Sequence, residues 1–256
     1  MVLPSATQPV PYRFGWFEII FGTLAVMALA AMLALLLLFA GSLLMVVFSG
    51  IGNSQAWLET LPERGTQPRS EEMQTLNYLI GIALYAAVAF AVVIIARNPL
   101  RMPLAARVAF ADWTLDRQYW TLLAACLAYA LVSGYWVEWV LPESRTWNVS
   151  PTAPVPLFLA FVLIVGVGPF CEELLLRGWI FSALRTRLTF MPTLLITSVV
   201  FALMHFEKTL LYALVVFPIG LALGFVRERY GSIKASASFH GMYNLFAFIV
   251  TFFDIA

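Results

Sequence analysis

Apolar residues in this chain fall in long runs broken by short charged or proline-rich stretches. The runs lie near Phe17–Ser49, Leu76–Ala96, Tyr119–Leu141, Val155–Leu184, Met191–Phe206, Leu210–Val226 and Ile233–Phe253. A helix crosses the hydrocarbon of a bilayer with about 20 apolar residues, within a range of roughly 17–25. Inside lipid the backbone must satisfy its own hydrogen bonds, which a helix does within one segment. The pattern predicts an all-α, polytopic membrane helix bundle of about seven transmembrane helices. The first run is longer than one crossing needs: it tilts, bends near Gly41–Ser42 or extends past the bilayer. Divided into two short segments, it would change the count and the topology. The fifth run is short for a crossing.

The connections follow from the polar residues between the runs. Gly52–Glu72 has mixed charge, Arg97–Arg117 carries four arginines with Pro99 and Pro103, and Pro142–Pro156 is rich in proline, serine and threonine. Arg227–Lys234 is a basic turn with Gly231 as a stop signal. No internal repeat is visible. The chain reads as one integral domain, with residues 1–150 as a variable half of helices and loops and 151–256 as the half that carries the chemistry. With seven spans, one side receives Arg13, Arg97, Arg101, Arg107, Arg117, Arg185, Arg187, Arg227, Arg229 and Lys234, while the other receives Arg64, Arg69, Arg145 and Lys208. Loop cations favour the cytoplasm, so this asymmetry predicts a multi-pass protein with a cytoplasmic N-terminus.

Composition agrees and excludes other classes. Of 256 residues, 62% are hydrophobic and 11% charged, against about 45–50% and about 25% in soluble domains. A net charge of +1 gives no reason to expect nucleic acid. Cys126 and Cys171 both lie in apolar runs, which argues against a disulfide scaffold. Residues 1–16 lack the short apolar core and cleavage site of a signal peptide, so the first run is expected to remain as an anchor. Asn148-Val149-Ser150 matches a glycosylation sequon and is taken as chance.

Ionisable residues inside spans are costly, and each is a functional hypothesis by default. Glu172, Glu173 and Arg177 lie in the fourth run, His205 near the end of the fifth and His240 in the seventh, while Glu138 is assigned to an interface. Glu173 and Arg177 are four apart, share a helical face and suit an ion pair. Glu172 points about 100° away with no local cation, the setting of a general base or acid. Phe201 precedes His205 by one turn on the same face, and an imidazole beside Glu172 would orient a water and share its proton. His240 and Asn244 share a face of the last run, where two donors suit a developing oxyanion. The competing reading of each is helix–helix glue.

Depth offers a check. Glu172 lies roughly 20 Å from Arg185 along its helix, and His205 roughly 22 Å from Phe190. His240 is only about 9 Å beyond Lys234. A loop dipping inward around Gly231–Ser238, or a tilted helix, would bring it level.

These residues form a recognisable set. Glu172-Glu173-Leu174-Leu175-Leu176-Arg177 resembles the EExxxR motif of the CAAX-processing and bacteriocin-processing family of intramembrane proteases, also called the Abi family. Phe201-Ala202-Leu203-Met204-His205 is similar to its FxxxH motif, and His240-Gly241-Met242-Tyr243-Asn244 to its HxxxN motif. The connection Gly224–Ser232 also resembles that family, so the likeness covers roughly residues 155–250. It implies an intramembrane endopeptidase, like the type 2 CAAX prenyl proteases, reached from the cytoplasmic side. Glu172 and His205 would activate water, His240 and Asn244 would stabilise the oxyanion, and Glu173, Arg177 and Phe201 would support them. The substrate would be a membrane-associated peptide, prenylated or a leader peptide. The expectation is no cofactor. Zinc held by Glu172, His205 and His240 is the alternative, disfavoured because HExxH is absent and Asn is a poor zinc ligand.

Two rivals come from other classes. A non-catalytic immunity or scaffold protein would keep the same polar cluster for assembly. A proton-coupled transporter would use buried Glu and His as a relay and would show repeats and broken helices.

Overall fold

The computed structural model describes residues 14–49, 71–96, 108–140, 153–205 and 210–252. Among them the regular elements are seven helices: α1 (Trp16–Ser49), α2 (Glu71–Ala96), α3 (Arg117–Val140), α4 (Pro154–Arg185), α5 (Phe190–Met204), α6 (Leu210–Tyr230) and α7 (Ile233–Phe252). The loop over 52–70, the arginines at 97, 101 and 107, the side chain of Glu138, the sequon at Asn148 and the first thirteen residues lie outside the described residues. The chain is an all-helical, polytopic bundle. Its first apolar run is one helix of 34 residues, about 51 Å long at the usual rise. Five helices, α1 to α4 and α6, are long and apolar enough to cross a membrane. The 15 residues of α5 span about 22 Å, less than a full crossing. Lys234, His240 and Asn244 dilute the apolar character of α7.

In lipid, helices associate through close packing and internal hydrogen bonds rather than through expulsion of water. The α4 helix is the hub. One buried cluster joins Val26 of α1, Val92 of α2 and Trp179 of α4. A second joins Tyr119 and Leu123 of α3, Leu176 of α4, Phe201 of α5, Leu223 of α6 and Phe239 of α7. The outer faces of α1 and α3 present Phe17, Leu35, Phe39, Tyr135 and Trp139, the side chains a lipid-facing surface carries. Both Cys126 and Cys171 are buried free thiols.

The segments expected on one side of the membrane meet at one end of the bundle. Phe14 takes the Arg187 guanidinium on its carbonyl and donates its N–H to Thr186, which ties the start of the chain to the α4–α5 turn. Arg185 grips Glu228 with two hydrogen bonds of 3.0 and 2.8 Å. Residues 108–116 lie against the α6–α7 turn: Ile233 N–H donates to the Ala109 carbonyl, Ser232 to that of Ala111, and Lys234 to Asp112. Asp116 accepts from Tyr230 and Arg229.

That segment accounts for the short depth estimated for His240. No loop dips inward over Gly231–Ser238, because α7 is helical from Ile233. Gly231, at φ 63°, makes the reversal, and Ser232 and Ile233 are fully buried against residues 109–111. The helix therefore starts inside the protein, not at its surface.

Candidate active site

The α4 helix carries two π-helical turns, Val162–Val167 and Leu174–Ile180, on either side of the short α-helical stretch Gly168–Glu173. Such insertions recur at functional sites, and here the first has a local cause. Gly168 N–H donates to Leu163, five residues back. The Ile164 carbonyl would then need the N–H of residue 169, which is Pro169 and has none. Asn244 of α7 supplies the missing donor, with Nδ2 at 2.9 Å from that oxygen. Gly241, one turn earlier on α7, makes the approach possible: a Cβ there would sit 2.9 Å from the Val165 carbonyl. The second π-turn repeats the device. Phe181 N–H goes back to Leu176, and the Arg177 carbonyl accepts from Ser182 Oγ and from Arg227 Nε at 3.2 Å.

Between these turns the two glutamates part company. Glu173 is fully buried and takes Arg177 Nη1 at 2.9 Å. Arg177, equally buried, gives Nη2 to the Gly220 carbonyl at 2.9 Å and stacks its guanidinium 4.7 Å from the centre of the Phe201 ring. Its charge is thus committed to structure. Glu172 accepts a 2.6 Å hydrogen bond on Oε1 from the hydroxyl of Tyr85 in α2. Its other oxygen, Oε2, is buried, has no hydrogen-bond partner among the described residues and lies 3.9 Å from His240 Nε2. The opposite ring nitrogen, Nδ1, is 3.5 Å from Glu173 Oε1. His240 therefore sits between the two carboxylates.

His205 caps the C-terminal end of α5. Its Nδ1 is 2.8 Å from the Phe201 carbonyl, and its ring centroid is 4.6 Å from that of Phe201. The His240 ring stands edge-on to the same phenyl ring, with centroids 5.5 Å apart. Both histidines and the Arg177 guanidinium thus share Phe201 as a common wall. Among the described residues no direct hydrogen bond or ion pair joins Glu172 to His205, whose Nδ1 is engaged by the Phe201 carbonyl. Tyr85 is the partner that sequence reading missed. Its only signal was a hydroxyl in an apolar run, four residues after Gly81.

A zinc site would require Glu172, His205 and His240 to converge with an open fourth position. Among the described residues no three His, Cys, Asp or Glu side chains form such a group. The donor set as placed does not fit the metal, and no step is derived through one.

Residues 154–246 match the family model described as Rce1-like, the type II CAAX prenyl endopeptidases. Over that segment, about a third of the chain, the protein is similar to the Rce1-like family. The match runs from the start of α4 into α7 and takes in Glu172, His205, His240 and Asn244, as well as Glu173, Arg177 and Phe201. The helices α1 to α3, Tyr85 among their residues, precede the Rce1-like segment. No curated protein and no solved structure matches the chain.

Proposed function

We propose that the protein is an intramembrane endopeptidase in which Glu172 is the general base. The observation that carries this reading is the asymmetry of its carboxylate: one oxygen is held by Tyr85, and the other is unpartnered beside His240. A separation of 3.9 Å is one that a water bridges. Oε2 takes a proton from that water, and the oxygen attacks the scissile carbonyl. As the carbonyl oxygen becomes negative it receives hydrogen bonds from His240 and from the second N–H of the Asn244 amide, the first being held by Ile164. The proton on Glu172 passes to the leaving amine as the C–N bond breaks. His205, with Nδ1 taken by the Phe201 carbonyl, offers Nε2 to orient the same water. Glu173, neutralised by Arg177, holds His240 in place. Access is from the cytoplasmic side, and the substrate class is a membrane-associated peptide, either a prenylated CAAX C-terminus or a leader peptide.

The test is cleavage by the full chain in proteoliposomes, read by mass spectrometry on a farnesylated CAAX peptide and on a leader peptide. Loss of a general base costs about 10²- to 10⁴-fold, and loss of one oxyanion donor about 10²- to 10³-fold. Glu172→Gln and His205→Ala are expected to insert normally and lose cleavage. Full activity of either on a peptide cut by wild type would overturn the assignment. A scaffold or immunity protein would cut neither peptide, and a transporter would show proton-coupled uptake instead.

A further inference from the structure

We propose that Tyr85 is a positioning residue for the reaction, fixing the rotamer of Glu172 so that Oε2 alone faces the reacting water. The inference deepens the reading of Glu172 as general base and rests on it. It also gives the helices outside the Rce1-like segment a part in the chemistry, since Tyr85 belongs to α2.

Two close approaches bring the phenol to the carboxylate. On α2, Gly81 stands one turn before Tyr85, and a Cβ at Gly81 would come within 2.8 Å of Leu163 Cδ2 on α4. On α4, Gly168 stands one turn before Glu172, and a Cβ there would lie 3.6 Å from Tyr85 Cζ. Gly81 is the small residue that the close approach of the two helices uses, while the ring and Gly168 are in ordinary contact. The Tyr85 ring crosses over Gly168, and its hydroxyl ends 2.6 Å from Glu172 Oε1. A carboxylate with two equivalent oxygens can rotate about its last bond and present either one. A short hydrogen bond to one oxygen removes that freedom and polarises the pair, leaving the lone pairs of Oε2 directed to the His240 side. A tyrosine serves here where a serine would not, because the α2–α4 gap is spanned by the length of the ring.

The experiment compares wild type, Tyr85→Phe, Glu172→Gln and Tyr85→3-fluorotyrosine in proteoliposomes on the farnesylated CAAX peptide. Tyr85→Phe is expected to lower kcat by about 10- to 100-fold, the worth of one hydrogen bond to a charged group. KM should change by less than about 2-fold, because ground-state binding is left alone. Restoring the donor as 3-fluorotyrosine should restore the rate. Independently of activity, the infrared carboxylate band that disappears in Glu172→Gln should shift in Tyr85→Phe. An unmoved band overturns the proposal, as does an unchanged kcat in Tyr85→Phe beside an inactive Glu172→Gln. Full cleavage by Glu172→Gln would instead overturn the base assignment itself.

Discussion

Removing the positive end of the buried ion pair should cost more than any other single polar change in the bundle, and removing its partner as well should give much of that back. Arg177 and Glu173 are both fully buried and 2.9 Å apart. Arg177→Met keeps the length and apolar character of the stem while deleting the charge. Glu173 then retains a carboxylate whose nearest remaining cation source is His240 Nδ1 at 3.5 Å, and the Gly220 carbonyl loses its donor. Breaking a buried pair by removing one partner costs about 3–5 kcal/mol, most of it the uncompensated charge. The lost stacking on Phe201 adds about 0.5–2 kcal/mol. Glu173→Gln in the Arg177→Met background removes the stranded charge, so the second substitution should stabilise by about 2 kcal/mol or more. The assay is a double-mutant cycle of reversible unfolding in mixed micelles, followed by tryptophan fluorescence. If Glu173→Gln destabilises the Arg177→Met protein further, the two charges are not coupled and the placement of Arg177 as a structural cation is wrong.

Two further outcomes follow from the packing and from the polar end of the bundle. Gly241→Ala should destabilise by about 1–3 kcal/mol, as overpacking does, because its methyl meets the Val165 carbonyl, which is backbone and cannot swing aside. Gly81→Ala meets only a leucine methyl and should cost less in the same unfolding assay; equal costs would refute the distinction. Lys234 donates to Asp112 and Tyr230 to Asp116, and these hydrogen bonds hold both carboxyls below the usual carboxylate range. A group with a lowered folded pKa contributes its stability above the unfolded value, and the contribution is lost as pH falls. The clasp between residues 108–116 and α7 is therefore intact at neutral pH and loosens below about pH 4. Faster exchange of the Ile233 amide at low pH, abolished in Asp112→Asn/Asp116→Asn, would report it. Exchange that does not change with acidification, beyond its intrinsic pH dependence, would refute it.

Much of the architecture was legible because lipid imposes a length on every helix and a penalty on every stray charge. The seven apolar runs correspond to the seven helices, and the side shared by the even-numbered connections corresponds to the end where Phe14, Arg185, Asp112 and Lys234 are gathered. The separation of Glu173, with a cation four residues on, from Glu172, without one, followed from helical spacing alone. The π-turns were not legible. Pro169 is visible in the sequence, but whether a proline breaks a span or widens it depends on a donor 75 residues later, at Asn244. The clasp of 108–116 over Ile233 is tertiary and has no periodic signature.

The relation of Glu172 to His205 shows what spacing arguments can and cannot fix. Equal depth along two helices sets one coordinate of each side chain and leaves the angle around each axis free. In α5 that angle is decided locally: the helix ends at Met204, and the imidazole turns back onto the Phe201 carbonyl, four residues earlier. In α4 it is fixed from outside, by the Tyr85 hydroxyl of α2 on Oε1 of Glu172. What brings the site together is therefore Phe201, a residue without titratable chemistry, whose ring lies against both imidazoles and the guanidinium. A ring in contact with both imidazoles and the guanidinium keeps these three side chains in one neighbourhood, which equal depth alone would not do.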